Sequence, residues 1–154
     1  MSIEEKGGEV ASQLLSCPSC GTTNRVPDAA TGHPRCGRCR KDLPWIVAAG
    51  DSDFATIAEQ SAVPALIDFW AAWCGPCRMV SPVLDKLAQE RAGEIKLVKV
   101  DVDRAPELSR RFAVQSIPTL MVISGGKVVA RQTGAAPAPA LRSWLEQALA
   151  DIRG

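Results

Sequence analysis

Six cysteines, every one of them in a Cys-x-x-Cys pair, carry the chemistry available to this sequence of 154 residues. One pair stands in Trp73-Cys74-Gly75-Pro76-Cys77; the other two, Cys17-Pro18-Ser19-Cys20 and Cys36-Gly37-Arg38-Cys39, are separated by fifteen residues. Thiols at this spacing either exchange with disulfides or supply half of a metal site.

Context separates the pairs. Ala65–Trp70 reads as a buried strand and residues 77–91 as a helix with Val80, Val83, Leu84 and Leu87 on one face. Cys74 then stands at a helix N-terminus, where unpaired N–H groups and the positive end of the helix dipole favour its thiolate. The thiolate is the attacking species, so Cys74 is expected to open a substrate disulfide and Cys77 to displace the mixed disulfide. That order expects an accessible Cys74 with Cys77 one turn deeper. A metal half-site or two buried thiols are the alternatives for such a pair. Pro76 loses no useful N–H near the first turn, whereas Pro82 is expected to kink the helix. Asp68, six residues before Cys74 in an apolar strand, is costly to bury ionised. A buried acid of raised pKa can take the proton of Cys77; the alternative is a structural carboxylate paired with Lys99.

Cys17, Cys20, Cys36 and Cys39 fit the spacing of a structural zinc site. Four thiolates satisfy tetrahedral Zn²⁺, one ion per chain, which would hold residues 17–41, a segment showing no helical or strand periodicity and too poor in apolar residues to bury a core. Gly21 and Gly37 suit tight turns whose N–H groups point at sulfur. His33 is an alternative ligand, and a purely redox use of these thiols stays open. Arg25, Arg35, Arg38, Arg40 and Lys41 form a basic cluster with Glu4, Glu5, Glu9, Asp28 and Asp42 alongside, read mainly as a solvated face; a partner-protein site fits at least as well as nucleic acid.

The elements that must position these residues follow from punctuation and period. Residues 45–48 read as a strand, Asp51 or Ser52 as the cap of a helix through Gln60, residues 95–102 as a strand, and 105–112 as a short helix. Residues 119–123 and 127–132 form a hairpin about Gly125-Gly126, and 139–152 a closing helix. The order β-α-β-α-β-α-β-β-α is that of an α/β domain, with a boundary that leaves a zinc-binding module with a flexible start over 1–43 and a redox domain over 44–154. A net charge of +1 supplies no field for nucleic acid or an anionic membrane, and no run approaches the roughly 20 apolar residues of a membrane span. The first nine residues hold three carboxylates and no apolar run, unlike a signal peptide, so a reducing cytoplasm is expected, where structural disulfides are rare.

Phe69-Trp70-Ala71-Ala72-Trp73-Cys74-Gly75-Pro76-Cys77-Arg78, with Pro82, Lys99-Val100-Asp101-Val102-Asp103, Ile117-Pro118-Thr119 and Gly134, resembles the thioredoxin family over about residues 44–152. With the cysteine-rich segment in front, the resemblance is to the thioredoxin 2 type and spans nearly the whole chain. It implies a central mixed sheet flanked by helices, preceded by a zinc-ribbon-like module, and a protein-disulfide reductase that exchanges dithiol for disulfide without an organic cofactor. It also implies Asp68 as proton acceptor with Lys99 beside it, and a cis bond before Pro118. Trp73, Gly75, Pro76, Ile117, Pro118 and Gly134 would make the substrate-docking patch. The implied partners are an NADPH-dependent thioredoxin reductase and disulfide-bearing proteins, with a monomeric, cytoplasmic chain as donor. An isomerase or oxidase is disfavoured by Gly75-Pro76 and by the absent signal peptide. A zinc-dependent protein- or nucleic-acid-binding module with a redox-sensing role is the competing reading.

Overall fold

A computed structural model describes residues 12–29 and 32–154; the polar start of the chain lies outside these. The described chain begins with a two-stranded antiparallel hairpin, β1 (Ser12–Ser16) and β2 (Thr23–Pro27). Only β2 falls within residues 17–41, read as a segment without periodicity; it is a strand too short and too exposed to show alternation, with Val26 its one buried side chain.

A five-stranded sheet follows in the order β3-β5-β4-β6-β7, comprising β3 (Ile46–Ala48), β4 (Ala65–Trp70), β5 (Lys96–Asp101), β6 (Thr119–Ser124) and β7 (Lys127–Thr133). β5 runs parallel to both β3 and β4, whereas β6 is antiparallel to β4 and β7. The helices are α1 (Gly75–Glu90), α2 (Pro106–Arg111) and α3 (Ala138–Arg153). Residues 51–60 do not form the expected capped helix; the helical part is a short π-helix, Ala55–Glu59. Asp51 instead accepts from the N–H groups of Glu107 and Leu108 at 3.2 and 2.9 Å, capping α2 from outside because Ala105 at its start has no side-chain acceptor.

Strand alternation sorts the side chains of the sheet into two layers. Ala65, Ile67, Phe69, Val98 and Val100 pack with Phe54, Ile57 and Leu108, whereas Leu66, Leu97, Leu120 and Val122 pack under α1 and α3 against Leu84, Leu87, Leu141 and Leu145. The same alternation puts Asp68 and Lys99 on the α1 face, as register partners across β4 and β5, and Lys96 on the opposite face.

The cysteine-rich segment joins that opposite layer. Cys17, Val26, Cys36, Leu43 and Trp45 are buried in one cluster with the sheet, so the domain core helps to cover a segment that cannot form a core alone. Trp45 Nε1 donates to Pro27 O at 2.9 Å. Lys96, wholly buried, lies 4.0 Å from the Trp45 ring centre and donates to Ile57 O at 2.8 Å and to Asp28 O. Burial pushes its pKa down to about 8, with the Asp28 carboxylate opposing.

Candidate redox site and metal centre

The redox pair is made by the junction of β4 and α1. Cys74 is the residue before the helix, in extended conformation, and its Sγ accepts from the N–H of Cys77 at 3.2 Å, with Pro76 in the first turn. A sulfur at this position faces the unpaired N–H groups of the helix, which is the geometry that stabilises a thiolate. Cys74 and Cys77 are joined as a disulfide with their Cα atoms 5.3 Å apart. In this oxidised state they are 3% and 4% exposed, so the expected contrast between an open Cys74 and a deeper Cys77 is absent. Ala71, Trp70, Val102 and Ile117 pack around the pair.

Beneath the disulfide lies a cavity of about 160 Å³ lined by Asp68, Cys77, Ser81, Lys99 and Trp70. Asp68 is 3% exposed, and burial pushes its pKa up to about 6; Lys99 opposes the shift and Asp85 adds to it. Lys99 Nζ lies 2.9 Å from Asp85 Oδ1 and donates to Ser81 Oγ at 3.2 Å. The alternative of Asp68 paired with Lys99 is therefore not realised: the lysine turns to the carboxylate on the helix and acts on Asp68 through space. Asp85 and Ser81 were missed in the sequence, although Cys77, Ser81 and Asp85 at steps of four share one helical face, a readable signal.

The surface around the pair is apolar and open. Trp73 is 67% exposed with Nε1 donating to Asp103 Oδ2 at 2.9 Å, Gly75 and Pro76 are exposed, and Ile117 is half-buried. Trp70 is half-buried at the cavity wall. The Ile117–Pro118 bond is cis, Pro118 is buried, and Ile117 O lies 3.9 Å from Cys74 Sγ. Gly134 has φ +91°, donates its N–H to Pro118 O at 2.8 Å and has open space where a Cβ would stand. A groove of about 560 Å³ runs beside the disulfide between Trp73, Val102, Val114 and Ile117. A flat apolar rim with a groove next to a disulfide suits an extended polypeptide carrying a second disulfide.

The other four cysteines come together from two knuckles. Their Sγ atoms all lie within 4.8 Å of one another, with Cys17 to Cys39 at 3.6 Å and Cys20 to Cys36 at 3.5 Å. Tetrahedral zinc with Zn–S of about 2.3 Å needs sulfurs about 3.8 Å apart, so the donor set fits that ion. The N–H groups of Cys39 and Arg38, at 3.5 and 3.4 Å, and the Asn24 amide at 3.5 Å hold the Cys36 thiol down to about 5 against burial. Thr22 lowers Cys20 in the same way. The turn at Gly37 thus presents N–H groups to sulfur, as expected, through Arg38 and Cys39, while the glycines' own N–H groups bond elsewhere: Gly21 N–H to Cys17 O, and Gly37 N–H to Asn24 Oδ1, which makes Asn24 a positioning residue. His33 faces Asp42 at 2.9 Å, outside the four-sulfur cluster.

An exchangeable cysteine pair at a strand–helix junction, over a buried carboxylate and under an apolar rim, defines a thiol–disulfide oxidoreductase. The comparisons with known proteins agree. The thioredoxin family profile matches residues 45–147, and a zinc-ribbon profile described as "Thioredoxin 2, N-terminal" matches residues 16–41. Thioredoxin C-3 of Corynebacterium nephridii is 37% identical over 92% of this chain and 99% of its own. Thioredoxin of Haemophilus influenzae is 47% identical over 66% of this chain and 95% of its own, and thioredoxin 1 of a Nostoc strain 48% identical over 64% and 92%. The chain belongs to the thioredoxin family, with the zinc-ribbon segment of the thioredoxin 2 type in front, and its Cys74–Cys77 pair serves protein-disulfide reduction. Among the described residues no helix is long and apolar enough to cross a membrane.

Proposed function

We propose that Cys74 is the attacking thiolate and Cys77 the resolving thiol, with Asp68 accepting its proton. The observation that carries this reading is the shared cavity of Asp68 and Cys77 beneath a cysteine that caps α1. In the reduced protein, Cys74 Sγ attacks one sulfur of the substrate disulfide; that S–S bond breaks, the other substrate sulfur leaves as a thiolate, and a mixed disulfide forms. Cys77 gives its proton to the Asp68 carboxylate, directly or through water for which the cavity has room, and attacks Cys74 Sγ. The second substrate thiolate leaves, and the pair is oxidised while the substrate gains two electrons. Lys99 supports Asp68 through its charge, drawn between that carboxylate and Asp85. Trp73, Gly75, Pro76, Ile117, Pro118 and Gly134 form the docking patch, on which the backbone at Ile117 pairs with the extended substrate.

The two electrons that reset Cys74–Cys77 come, in this reading, from an NADPH-dependent thioredoxin reductase, and the chain works as a monomer in the cytoplasm on disulfide-bearing proteins. Cys17, Cys20, Cys36 and Cys39 hold one structural zinc in a module over residues 1–43, ahead of a redox domain over 44–154. The ion would fix the two knuckles and takes no part in exchange. Insulin reduction coupled to NADPH and thioredoxin reductase tests the mechanism: Cys74→Ser should abolish turnover while anaerobically measured zinc stays at one per chain. Retained turnover in that variant would sink the assignment, and zinc-free reduced protein would remove the metal.

A further inference from the structure

The two zinc knuckles are built alike, and the difference between them points to a docking site. In each, the residue after the second cysteine returns its N–H to the carbonyl of the first, Gly21 to Cys17 O at 2.9 Å and Arg40 to Cys36 O at 3.0 Å. In each that residue lies in the left-handed region, with φ of 79° at Gly21 and 69° at Arg40. Glycine adopts this conformation without steric cost, and arginine does not. A strained residue where glycine would serve directs attention to its side chain.

Arg40, Arg35 and Lys41 line an open cleft of about 630 Å³ between the second knuckle and the C-terminal end of α1, where Gln89 and Ala92 line the opposite side. Asp42 lines it too, but it is engaged with His33 at 2.9 Å and Arg35 at 3.5 Å, which leaves Arg40 and Lys41 without a carboxylate partner among the described residues. Four cations, these three and the exposed Arg38, therefore face one carboxylate over residues 35–42 of a chain whose net charge is only +1.

We propose that this cleft binds an acidic peptide segment of a protein that presents its disulfide to Cys74. That the partner is a disulfide substrate rests on the reductase reading; the binding itself does not. α1 has 16 residues and so spans about 24 Å, with the disulfide at its first turn and the cleft at its last. A partner gripped at both ends is held by charge at one and by apolar contact and exchange chemistry at the other. The chemistry favours peptide over nucleic acid. Residues 1–44 contain no Phe, Trp or Tyr, so no stacking platform accompanies the cations, and these form one compact cluster instead of a stripe.

Fluorescence anisotropy with a labelled decaglutamate peptide, titrated at low ionic strength with the zinc-loaded full chain, tests the cleft. Binding should be lost at high salt and absent for decaglutamine. It should weaken about tenfold in Arg40→Gly/Lys41→Gln, with zinc content unchanged because glycine suits the left-handed position. Gln89→Lys, on the helix and away from the knuckle, should tighten it. Equal affinity of the wild type and both variants, or tighter binding of a dodecathymidylate than of decaglutamate, overturns the proposal. Cys74→Ser, which tests the reductase reading through insulin reduction, should bind decaglutamate as tightly as the wild type, so a failure of that reading leaves the anisotropy result standing, and loss of peptide binding in this variant would overturn the cleft as a separate site.

Discussion

The redox pair and the second zinc pair share one local device and differ in what the chain does next. In both, the N–H three residues on reaches back to the first sulfur: Cys77 N–H to Cys74 at 3.2 Å, Cys39 N–H to Cys36 at 3.5 Å. After Cys77 the chain continues as α1, which keeps the two sulfurs of one turn together over the sheet and leaves them only each other. After Cys20 and Cys39 a left-handed residue sends the chain back, so two knuckles can face each other and pool four sulfurs. A Cys-x-x-Cys pair is thus committed to exchange or to metal by the conformation of the residue that follows it and by its neighbours, not by the pair.

The comparison can be broken most severely at the metal. Chelation under reducing conditions should unfold the hairpin and knuckles, because structural zinc contributes on the order of 10 kcal/mol in small metal domains. The buried Trp45 and Lys96 would then be uncovered, and a red shift of tryptophan emission would report it. The disulfide site, held by the sheet and α1, should keep measurable insulin reduction; its complete loss would mean that the two regions are one cooperative unit.

At the redox pair, Asp68→Asn should slow turnover by about 10²-fold at neutral pH. With a folded pKa of about 6 against an ordinary 3.8, the unfolded chain releases this proton first. Stability therefore falls as pH rises from about 4 to about 6, and the full cost, about 3 kcal/mol, is present above that. The asparagine variant should be more stable than wild type by an amount of that order at pH 7.5 and should lose the pH dependence in this window, read by urea unfolding. In wild type, turnover should fall below about pH 6 as the carboxylate protonates, and a variant with the same profile would remove Asp68 from the proton path.

Smaller effects test the knuckles. Gly21→Val places a branched side chain at φ +79° and should cost about 1–2 kcal/mol, seen as weaker zinc retention against a competing chelator. Arg40→Gly should shift stability by less than about 1 kcal/mol, the relieved strain being offset by the freer unfolded chain.

Much of this was legible in the sequence because it is local. The strand Ala65–Trp70, the helix after Cys74, and the cysteine spacings are each set by residues within one or two turns of one another. The misreadings were non-local. Asp51, expected to cap its own helix, caps α2 more than fifty residues on, and β1 and β2 took their hydrogen bonds from each other with too little burial to leave a pattern. Lys99 was legible as a neighbour of Asp68 but not as the partner of Asp85, since a charged side chain chooses among carboxylates only when three elements are packed.

By itself, the sequence determined which residues can do chemistry: six thiols at fixed spacing, one acid in an apolar strand, and the turns that present them. Only the tertiary structure decided how those groups are used. Burial raises Asp68 and places it with Cys77 in one cavity, Lys99 leans to the helix, and the core of the sheet covers a zinc segment that has no core of its own. The physical reason is range: covalent spacing and helix-end polarity act within a turn, whereas desolvation and charge depend on everything packed around a group, however distant in the chain.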